Sequence, residues 1–323
     1  MSEAAPSFAG RTLTRLIVPV IALPQPRVEW AAPAKAVKAR EFESATSLSA
    51  LLACPLQWTL KYASNLETSV RQSLPGSEAL FGTLAHKIAE EIFKPGAPPD
   101  PDAVLGFAKT RLEGLLTTAA ATLLLPGAAR DLTFAREAIP QGLAELARFL
   151  KGAKLSVVDT EQGFSQADTL GPGTGIRGSV DLLAQDERGR LVVLDLKWQR
   201  TDQYRREEIA DGIALQLSVY ARHVGGVNAD IPTGYFMLRQ KRFVTGSPLF
   251  AGEVDVVEGP TARATWEKIA KSWSAAMEEI ENGAIRAPLE QNGVKQSAFA
   301  DPYLLTPPKC GYCDFSVLCR GDS

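Results

Sequence analysis

Two aspartates and a lysine near the middle of the 323-residue chain could form a metal-assisted hydrolytic site. Asp181 and Asp195 lie in two apolar segments joined by a turn around Arg188, and Lys197 follows two positions later. A β-hairpin centred on Arg188 places Asp181 opposite Asp195, with Cβ atoms roughly 4.5–5.5 Å apart. Carboxylates this close resist joint ionisation, and a hard cation such as Mg2+ or Mn2+ relieves that cost. The spacing therefore predicts a divalent-metal site.

The alternative interpretation of this hairpin is structural. A buried Asp195–Lys197 ion pair beside an exposed Asp181 would need no metal. A slip of one residue in the register would produce it, because successive side chains of a strand point to opposite faces.

Three helical residues are candidates only in combination with the hairpin. His86 lies in the predicted helix 81–93, and Gln216 and Tyr220 are spaced i, i+4, so they share one face of a predicted helix at 207–223. Each is an ordinary helix residue when taken alone. We interpret the other histidine, His223, as a surface residue near a helix end.

The four cysteines predict a second metal centre. Cys310, Cys313 and Cys319 have C-x2-C-x5-C spacing, and Cys54 lies alone near the other end of the chain. Four thiols are too few to staple a chain of this length, and two cysteines at i and i+3 can point both sulfur atoms at one ion. Zinc accepts four thiolates, and buried free thiols are the simpler alternative.

The elements that position these residues change type near residue 155, where the apolar period changes from 3.6 to 2. Residues 1–43, rich in Ala and Pro, are predicted to form an extended arm or linker. The order helix, three strands, helix, strand predicts an α/β layered fold. The predicted helices are 44–65 (a helix pair), 81–93, 102–151 (split at 126–127), 207–223 and 261–282, and the predicted strands are 155–164, 177–184, 191–198 and 234–243.

Composition restricts the possible partners. With 35 Lys and Arg against 37 Asp and Glu, the chain cannot coat nucleic acid through bulk charge, so local patches must bind it. The segment after Lys197 is such a patch, and its Trp198 and Tyr204 could stack bases beside Arg200, Arg205 and Arg206. No apolar run reaches the roughly 18 residues of a membrane span. The short run 16–23 has no small-residue cleavage site after it, so we expect a cytoplasmic protein without a membrane partner.

The ordered set of candidates resembles the PD-(D/E)xK nuclease superfamily, and more closely its RecB/AddB-type branch with an iron–sulfur cluster, which includes CRISPR-associated exonucleases. The resemblance spans about residues 44–323. Val180 stands where the family motif has proline. The set comprises His86, Glu161, Gly178–Asp181, Asp195–Lys197, Gln216 and Tyr220, with Cys54 before them and Cys310, Cys313 and Cys319 after them.

The resemblance implies a restriction-endonuclease-like core, a central mixed sheet flanked by helices, with a helical insertion at about 95–152. It also implies a C-terminal cysteine-ligated tail, 307–323, joined to Cys54 by a [4Fe–4S] cluster, with Zn2+ as the alternative. His86, Asp181, Asp195 and the Leu196 carbonyl would bind Mg2+ or Mn2+, and Lys197 would activate water. Gln216 and Tyr220 would support the site and contact DNA, and Glu161 would be a supporting acid.

The function expected from this resemblance is a Mg2+/Mn2+-dependent deoxyribonuclease, an exonuclease for single strands or duplex ends in recombination and repair. A nuclease-inactive DNA-binding module of the same fold within a helicase–nuclease complex is the main alternative. A zinc-stabilised structural protein is the third. The sequence contains no P-loop, so unwinding duplex DNA would need a helicase partner.

Overall fold

The computed structural model describes residues 7–9, 11–12, 27–66, 76–227, 230–248, 250, 254–288, 290–291, 294–295, 306–308 and 310–319. The helices are α1 (Ala45–Ala53), α2 (Pro55–Trp58), α3 (Ser77–Ile92), α4 (Pro101–Leu116), α5 (Ala129–Gly152), α6 (Gln203–Ala210), α7 (Leu215–Gly225), α8 (Ala262–Glu281) and α9 (Ser316–Cys319). A π-helix, Thr59–Ala63, and two 3-10 helices, Ala121–Leu124 and Cys310–Tyr312, complete the helical elements of these ranges.

The strands of the same ranges are β1 (Ser7–Phe8), β2 (Arg11–Thr12), β3 (Glu29–Ala31), β4 (Phe42–Glu43), β5 (Ser156–Gly171), β6 (Thr174–Gln185), β7 (Leu191–Lys197), β8 (Thr233–Met237), β9 (Arg242–Thr245), β10 (Asp255–Val256), β11 (Ala284–Arg286), β12 (Glu290–Gln291) and β13 (Val294–Lys295).

A mixed seven-stranded sheet forms the centre of the molecule, as the sequence predicted. Its order is β10-β9-β8-β7-β6-β4, and β5 also pairs with β6. β7 is antiparallel to β6 and parallel to β8, which it reaches through α6 and α7. A parallel connection of this kind requires a crossover, and the two helices provide it.

The β6–β7 hairpin has the predicted register, and its ladder ends where the acids lie. Leu182 pairs with Leu194 and Ala184 with Val192, so the turn is centred on Arg188. The paired ladder ends at Leu182, so the adjacent Asp181 has no backbone partner in β7. The backbone N–H of Leu196 instead donates to Oδ2 of Asp181 at 2.8 Å. The ladder therefore stops at this point, and the Asp181 carboxylate accepts the N–H of β7 in place of a backbone oxygen.

Two helical layers cover the sheet and bury its apolar side chains. Helices α3, α4 and α5 pack on the face that carries Leu182, Leu194 and Phe236. Helices α1, α7 and α8 pack on the opposite face against Leu183 and Val193. Because β7 is covered on both faces, its residues are almost continuously apolar, as buried strands are.

Local sequence signals explain where some elements begin and end. Ser44 caps α1, where its hydroxyl accepts the N–H of Ser47 and the Ser47 hydroxyl accepts the N–H of Ser44, a reciprocal capping box. Pro101 occupies the first turn of α4, and the side chain of Asp100 caps it.

Three predicted elements differ from the structure. The predicted helix 207–223 is two helices, α6 and α7, because Gly212 has a φ of 66° that breaks the helical path. The predicted strand 234–243 is a hairpin of β8 and β9, with Lys241 at a φ of 58° in the turn. Helix α3 begins at Ser77 rather than at residue 81, so Gly82 lies inside it, where a Cβ would lie 3.5 Å from Trp198 Cβ.

The predicted N-terminal arm contributes strands to the domain. Within residues 27–43, β3 pairs with β11 and β4 lies parallel to β6. The short apolar run 16–23 lies outside the described residues. No helix in the described part of the chain combines the length and apolar character needed to cross a membrane.

Gly142 fixes the distance between helix α5 and the sheet. A Cβ at this position would lie 2.5 Å from the backbone oxygen of Leu238, whereas a Cβ at Gly106 in α4 would have no atom within 4 Å. We expect Gly142→Ala to lower the free energy of unfolding by about 1–3 kcal/mol, because the backbone cannot move away cheaply. Gly106→Ala is the matched control and should raise it by roughly 0.5–1 kcal/mol. Equal effects in urea titrations would contradict this view of the packing.

Candidate active site

The candidate site lies where helix α3 meets three neighbouring strands. His86 comes from α3, Glu161 from β5, Asp181 from β6, and Asp195 and Lys197 from β7. The apolar stripe of α3, which includes Leu84 and Ile88, packs on the sheet and fixes the helix there. The folding of separate parts of the chain therefore brings the predicted residues together.

The histidine and two of the acids form a compact cluster. One ligand atom from each of His86, Glu161 and Asp181 lies within 4.8 Å of the other two, and no other such group of His, Cys, Asp or Glu occurs in the described residues. Nδ1 of His86 is 3.1 Å from Oε1 of Glu161 and 3.8 Å from Oδ2 of Asp181. Nε2 is 3.0 Å from the Leu196 carbonyl oxygen.

Glu161 has a strained backbone that aims its side chain into the cluster. Its φ is 50°, which is uncommon for a residue other than glycine. It lies between Thr160 and Gln162, which pair with Leu182 and Val180 of β6. Its Oε2 accepts the hydroxyl of Ser179 at 3.2 Å. Strain of this kind concentrates at functional sites, and here it places Glu161 opposite Asp181.

Asp195 is held beside the cluster by Lys197. Its side chain has no solvent exposure, and Oδ2 lies 2.5 Å from Nζ of Lys197. Oδ1 is buried without a hydrogen-bond partner in the described residues. A buried carboxylate with one oxygen unpaired is costly unless a cation is bound near it. The structural alternative, an ion pair with an exposed Asp181, does not fit, because Asp181 is itself 8% exposed.

The cluster holds more negative charge than its surroundings can stabilise. Burial and the charge of Asp195 raise the pKa of Asp181 to about 7. Burial lowers the pKa of His86, but the hydrogen bond to Glu161 and the charges of Asp181 and Asp195 outweigh it and raise this pKa. The same hydrogen bond from His86 lowers the pKa of Glu161. The imidazolium therefore offsets part of the acidic charge when no metal is bound.

The donor set fits a hard divalent cation with some affinity for nitrogen. Nε2 of His86 and the Leu196 carbonyl oxygen lie 3.0 Å apart, a hydrogen-bond distance, so one ion could be bound by both atoms once the imidazole is neutral. Carboxylates suit Mg2+ and Mn2+, and an imidazole shifts preference toward Mn2+. The structure groups Glu161 with His86 and Asp181 and places the Asp195–Lys197 pair beside them.

The raised pKa of Asp181 gives the metal-free protein a distinct dependence of stability on pH. Between pH 4 and 7 the unfolded state loses the Asp181 proton while the folded state keeps it, so stability falls as the pH rises and the loss is complete above pH 7. In EDTA, Asp181→Asn should therefore be more stable than the wild type at pH 8, by on the order of 2–4 kcal/mol at 1.36 kcal/mol per pKa unit. The difference should vanish near pH 4.

Asp186→Asn is the control for this measurement. Asp186 lies in the β6–β7 turn, and hydrogen bonds from the Arg190 and Arg188 backbone lower its pKa. Its ionised form stabilises the fold, so this variant should lose stability at pH 8. Melting curves in which both variants shift in the same direction would contradict the electrostatic description of Asp181.

Gln216 and Tyr220 interact as their spacing predicted. Nε2 of Gln216 donates to the Tyr220 hydroxyl at 2.7 Å. Burial raises the pKa of Tyr220, and the charges of Asp195, Asp181 and Glu161 act in the same direction. The tyrosine therefore lies within electrostatic reach of the acids and remains protonated.

The basic segment after Lys197 differs from its prediction. Trp198 is 8% exposed and packs against Phe81 and Phe134, so it is a core side chain rather than a base-stacking surface. Arg205 lies in α6 and pairs with Glu208, and Arg206 pairs with Asp202 and Asp255. Arg200, whose side chain is 74% exposed, remains available to solvent while it pairs with Glu78.

Sequence reasoning missed Glu78, which connects the elements of the site. Its carboxylate accepts hydrogen bonds from Trp198 Nε1 at 3.2 Å, Arg200 Nε at 2.9 Å and Arg239 Nη1 at 2.6 Å. These bonds connect the first turn of α3 to the segment after Lys197. Because His86 lies on the same helix, they help to fix its position. No spacing rule identifies such a residue, because its partners are more than 100 positions away.

The four cysteines lie near one another without forming a closed site among the described residues. Cys319 is buried in a small apolar cluster that also contacts Cys54. Burial raises the pKa of Cys54 to about 12, and the other three thiols contribute. No three cysteine sulfur atoms of the described ranges lie within 4.8 Å of one another. Thiolates on one zinc ion would be about 3.8 Å apart at a bond length of 2.3 Å. Residue 309 and residues 320–323 of the predicted tail lie outside the described ranges.

Of three comparisons with known proteins, the match to a family model identifies the chain. No curated protein matches the chain. A solved structure entitled "Crystal structure of SSO0001" is 14% identical, with 88% of this chain and 87% of that chain covered. Its TM-score of 0.32 is too low to support a functional comparison. The model of the PD-(D/E)XK nuclease superfamily matches residues 43–320, a range that includes all the candidate residues. The chain therefore belongs to the PD-(D/E)XK nuclease superfamily.

Proposed function

We propose that this protein is a Mg2+- or Mn2+-dependent deoxyribonuclease that hydrolyses phosphodiester bonds, as an exonuclease in DNA end processing, recombination and repair. The observation that supports it best is the convergence of His86, Glu161 and Asp181 within 4.8 Å beside the Asp195–Lys197 pair. Buried acids whose charges repel one another destabilise the fold unless a cation binds them. Their presence therefore favours an active nuclease over the nuclease-inactive module.

The proposed roles follow from the contacts. His86 through Nε2, Asp181, Asp195 and the Leu196 carbonyl would hold the cation, with Glu161 as a supporting acid hydrogen-bonded to Nδ1 of His86. A bound divalent cation would lower the pKa of water and stabilise charge on the phosphate. Lys197 would orient the attacking water and donate to the phosphoryl oxygen, where negative charge develops. Tyr220, which is buried and held by Gln216, would support the acids, and the half-buried Gln216 would contact the DNA backbone.

The test is cleavage of labelled DNA. A 5′-labelled single strand should be degraded in Mg2+ or Mn2+ and remain intact in EDTA, and stepwise shortening from one end would identify an exonuclease. Duplex ends and single-stranded RNA are the comparison substrates. DNA that binds without being cut in either metal would favour the nuclease-inactive module instead, and blunt duplex degraded by the protein alone would remove the need for a helicase partner.

We also propose that Cys54, Cys310, Cys313 and Cys319 bind a [4Fe–4S] cluster. The support is the sequence spacing together with the influence of the other three thiols on the pKa of Cys54, which shows that all four lie near one another. The burial of Cys319 favours a site shielded from solvent, where a cluster persists. Iron and acid-labile sulfide analysis of anaerobically purified protein tests this, and zinc at one atom per chain without sulfide would support the alternative.

A further inference from the structure

A pocket of about 280 Å3 lies beside the candidate active site and has no assigned role. Its walls come from α1, α6 and α7 and from the segment just before Cys310. The residues that matter here are Thr46, Tyr204, Arg205, Gln216, Tyr235 and Pro307. Its volume is just below the roughly 300–1,000 Å3 of pockets for drug-sized ligands, which suits one flat heterocycle.

The pocket is on the same face of the sheet as the catalytic acids. Tyr235 of β8 is the register partner of Asp195 of β7, and partners in a sheet point to the same face. Gln216 is part of the pocket wall and donates to the Tyr220 hydroxyl. Gln216 therefore joins the pocket wall to a tyrosine within electrostatic reach of the acids. A strand whose phosphate lies at the acids could place a neighbouring nucleotide here.

The charges of the pocket disfavour a phosphate. Arg205 is its one cation among the lining residues, and Glu208 lies 2.5 Å from it. Glu208 also accepts the Tyr235 hydroxyl at 3.0 Å. The lining has no net positive charge to attract a phosphate oxygen, and its polar side chains can form hydrogen bonds with a neutral ligand.

Its aromatic side chain favours a nucleobase. Tyr204 is 40% exposed, and the Arg205 guanidinium lies 5.2 Å from the centre of its ring. Base stacking on an aromatic ring contributes about 1–3 kcal/mol and tolerates any sequence, because every base has a π-face. Proline and aliphatic side chains complete the apolar walls.

We propose that this pocket binds one nucleobase of the strand that enters the active site, stacked on Tyr204. The inference rests on the proposed nuclease function for the nature of its ligand. It also gives the cysteine-rich tail a second role, because Thr306 and Pro307 form a wall of the pocket and Thr306 donates to the Ser49 carbonyl at 3.2 Å.

The experiment measures DNA binding by fluorescence anisotropy in Ca2+, with a single abasic site moved along a labelled single strand. An abasic site at one position should weaken wild-type binding roughly 5- to 160-fold, the range that about 1–3 kcal/mol gives. Tyr204→Ala should weaken binding of the intact strand by a similar factor and lose all sensitivity to that position. Tyr204→Phe, the matched control, should behave as the wild type does.

A second variant protects the test from a folding defect. Thr46 is exposed in the first turn of α1, so Thr46→Trp should fill the pocket without disturbing the core, and it should also remove the response to the abasic site. The proposal is overturned if no abasic position matters, or if Tyr204→Ala responds to the series as the wild type does. Cleavage in Mg2+ is measured separately. If the DNA is not cleaved while its binding still depends on the position of the abasic site, the proposed nuclease function is wrong and the pocket proposal stands.

Discussion

Replacement of Asp195 by asparagine is expected to lower the rate of metal-dependent DNA cleavage by about 10³-fold or more. The change keeps the shape of the side chain and removes the charge that faces Lys197 and the proposed site of the divalent cation. Removal of a single preorganised group at a reacting centre costs about 10²–10³ in rate, and this one acts on both the cation and the lysine. The measurement is single-turnover cleavage of a labelled single strand in Mn2+.

Asp186→Asn is the matched control, because it makes the same chemical change at the turn of the same hairpin, away from the cluster. It should cleave at the rate of the wild type. The assignment of Asp195 is wrong if Asp195→Asn keeps more than about a tenth of the wild-type rate while its melting temperature is unchanged.

Replacement of Cys319 by serine should remove the proposed cluster and destabilise the C-terminal segment. Cys319 is 8% exposed and packs with Cys54, Leu56 and Ile285. A link from Cys54 to Cys310 spans 255 intervening residues, and closure of so long a loop stabilises chiefly by restricting the unfolded chain. We expect the loss of visible absorbance, of iron and of sulfide, with a fall of the melting temperature by about 5–10 °C from roughly 2–4 kcal/mol.

Val317→Ala is the control on the same short helix, since Val317 is 78% exposed. It should retain iron and sulfide at wild-type levels. The proposed [4Fe–4S] cluster is contradicted if Cys319→Ser retains iron and sulfide, or if the wild type contains only zinc. The cleavage assay then separates the two centres, because the acids and the cysteines occupy different parts of the fold.

The sequence was sufficient for the parts of the site that depend on short-range pattern. The register of the β6–β7 hairpin follows from its turn at Arg188, and the ladder from Leu182 confirms it. The cap of α1 follows from Ser44 and Ser47. The i, i+4 spacing of Gln216 and Tyr220 predicts their contact because both lie on one helix. In each case the residues that interact are close in the chain.

The sequence was insufficient where distant elements decide the environment of a side chain. Trp198 follows the catalytic strand and looks like a stacking residue, but α3 and α5 cover it. The position of Glu161 beside His86 depends on a positive φ, which cannot be predicted from a glutamate in a strand sequence. Glu78 acts through partners from two other elements. Tertiary packing decides all three.

Diffraction from crystals soaked in Mn2+, collected at the manganese absorption edge, tests the central claim most directly. One anomalous peak should lie within bonding distance, about 2.1–2.3 Å, of His86, Asp181 and the Leu196 carbonyl oxygen, and it should be absent from crystals of Asp181→Asn. Anomalous density only elsewhere in the molecule, from a protein that still cleaves DNA in Mn2+, would show that this cluster is not the catalytic metal site.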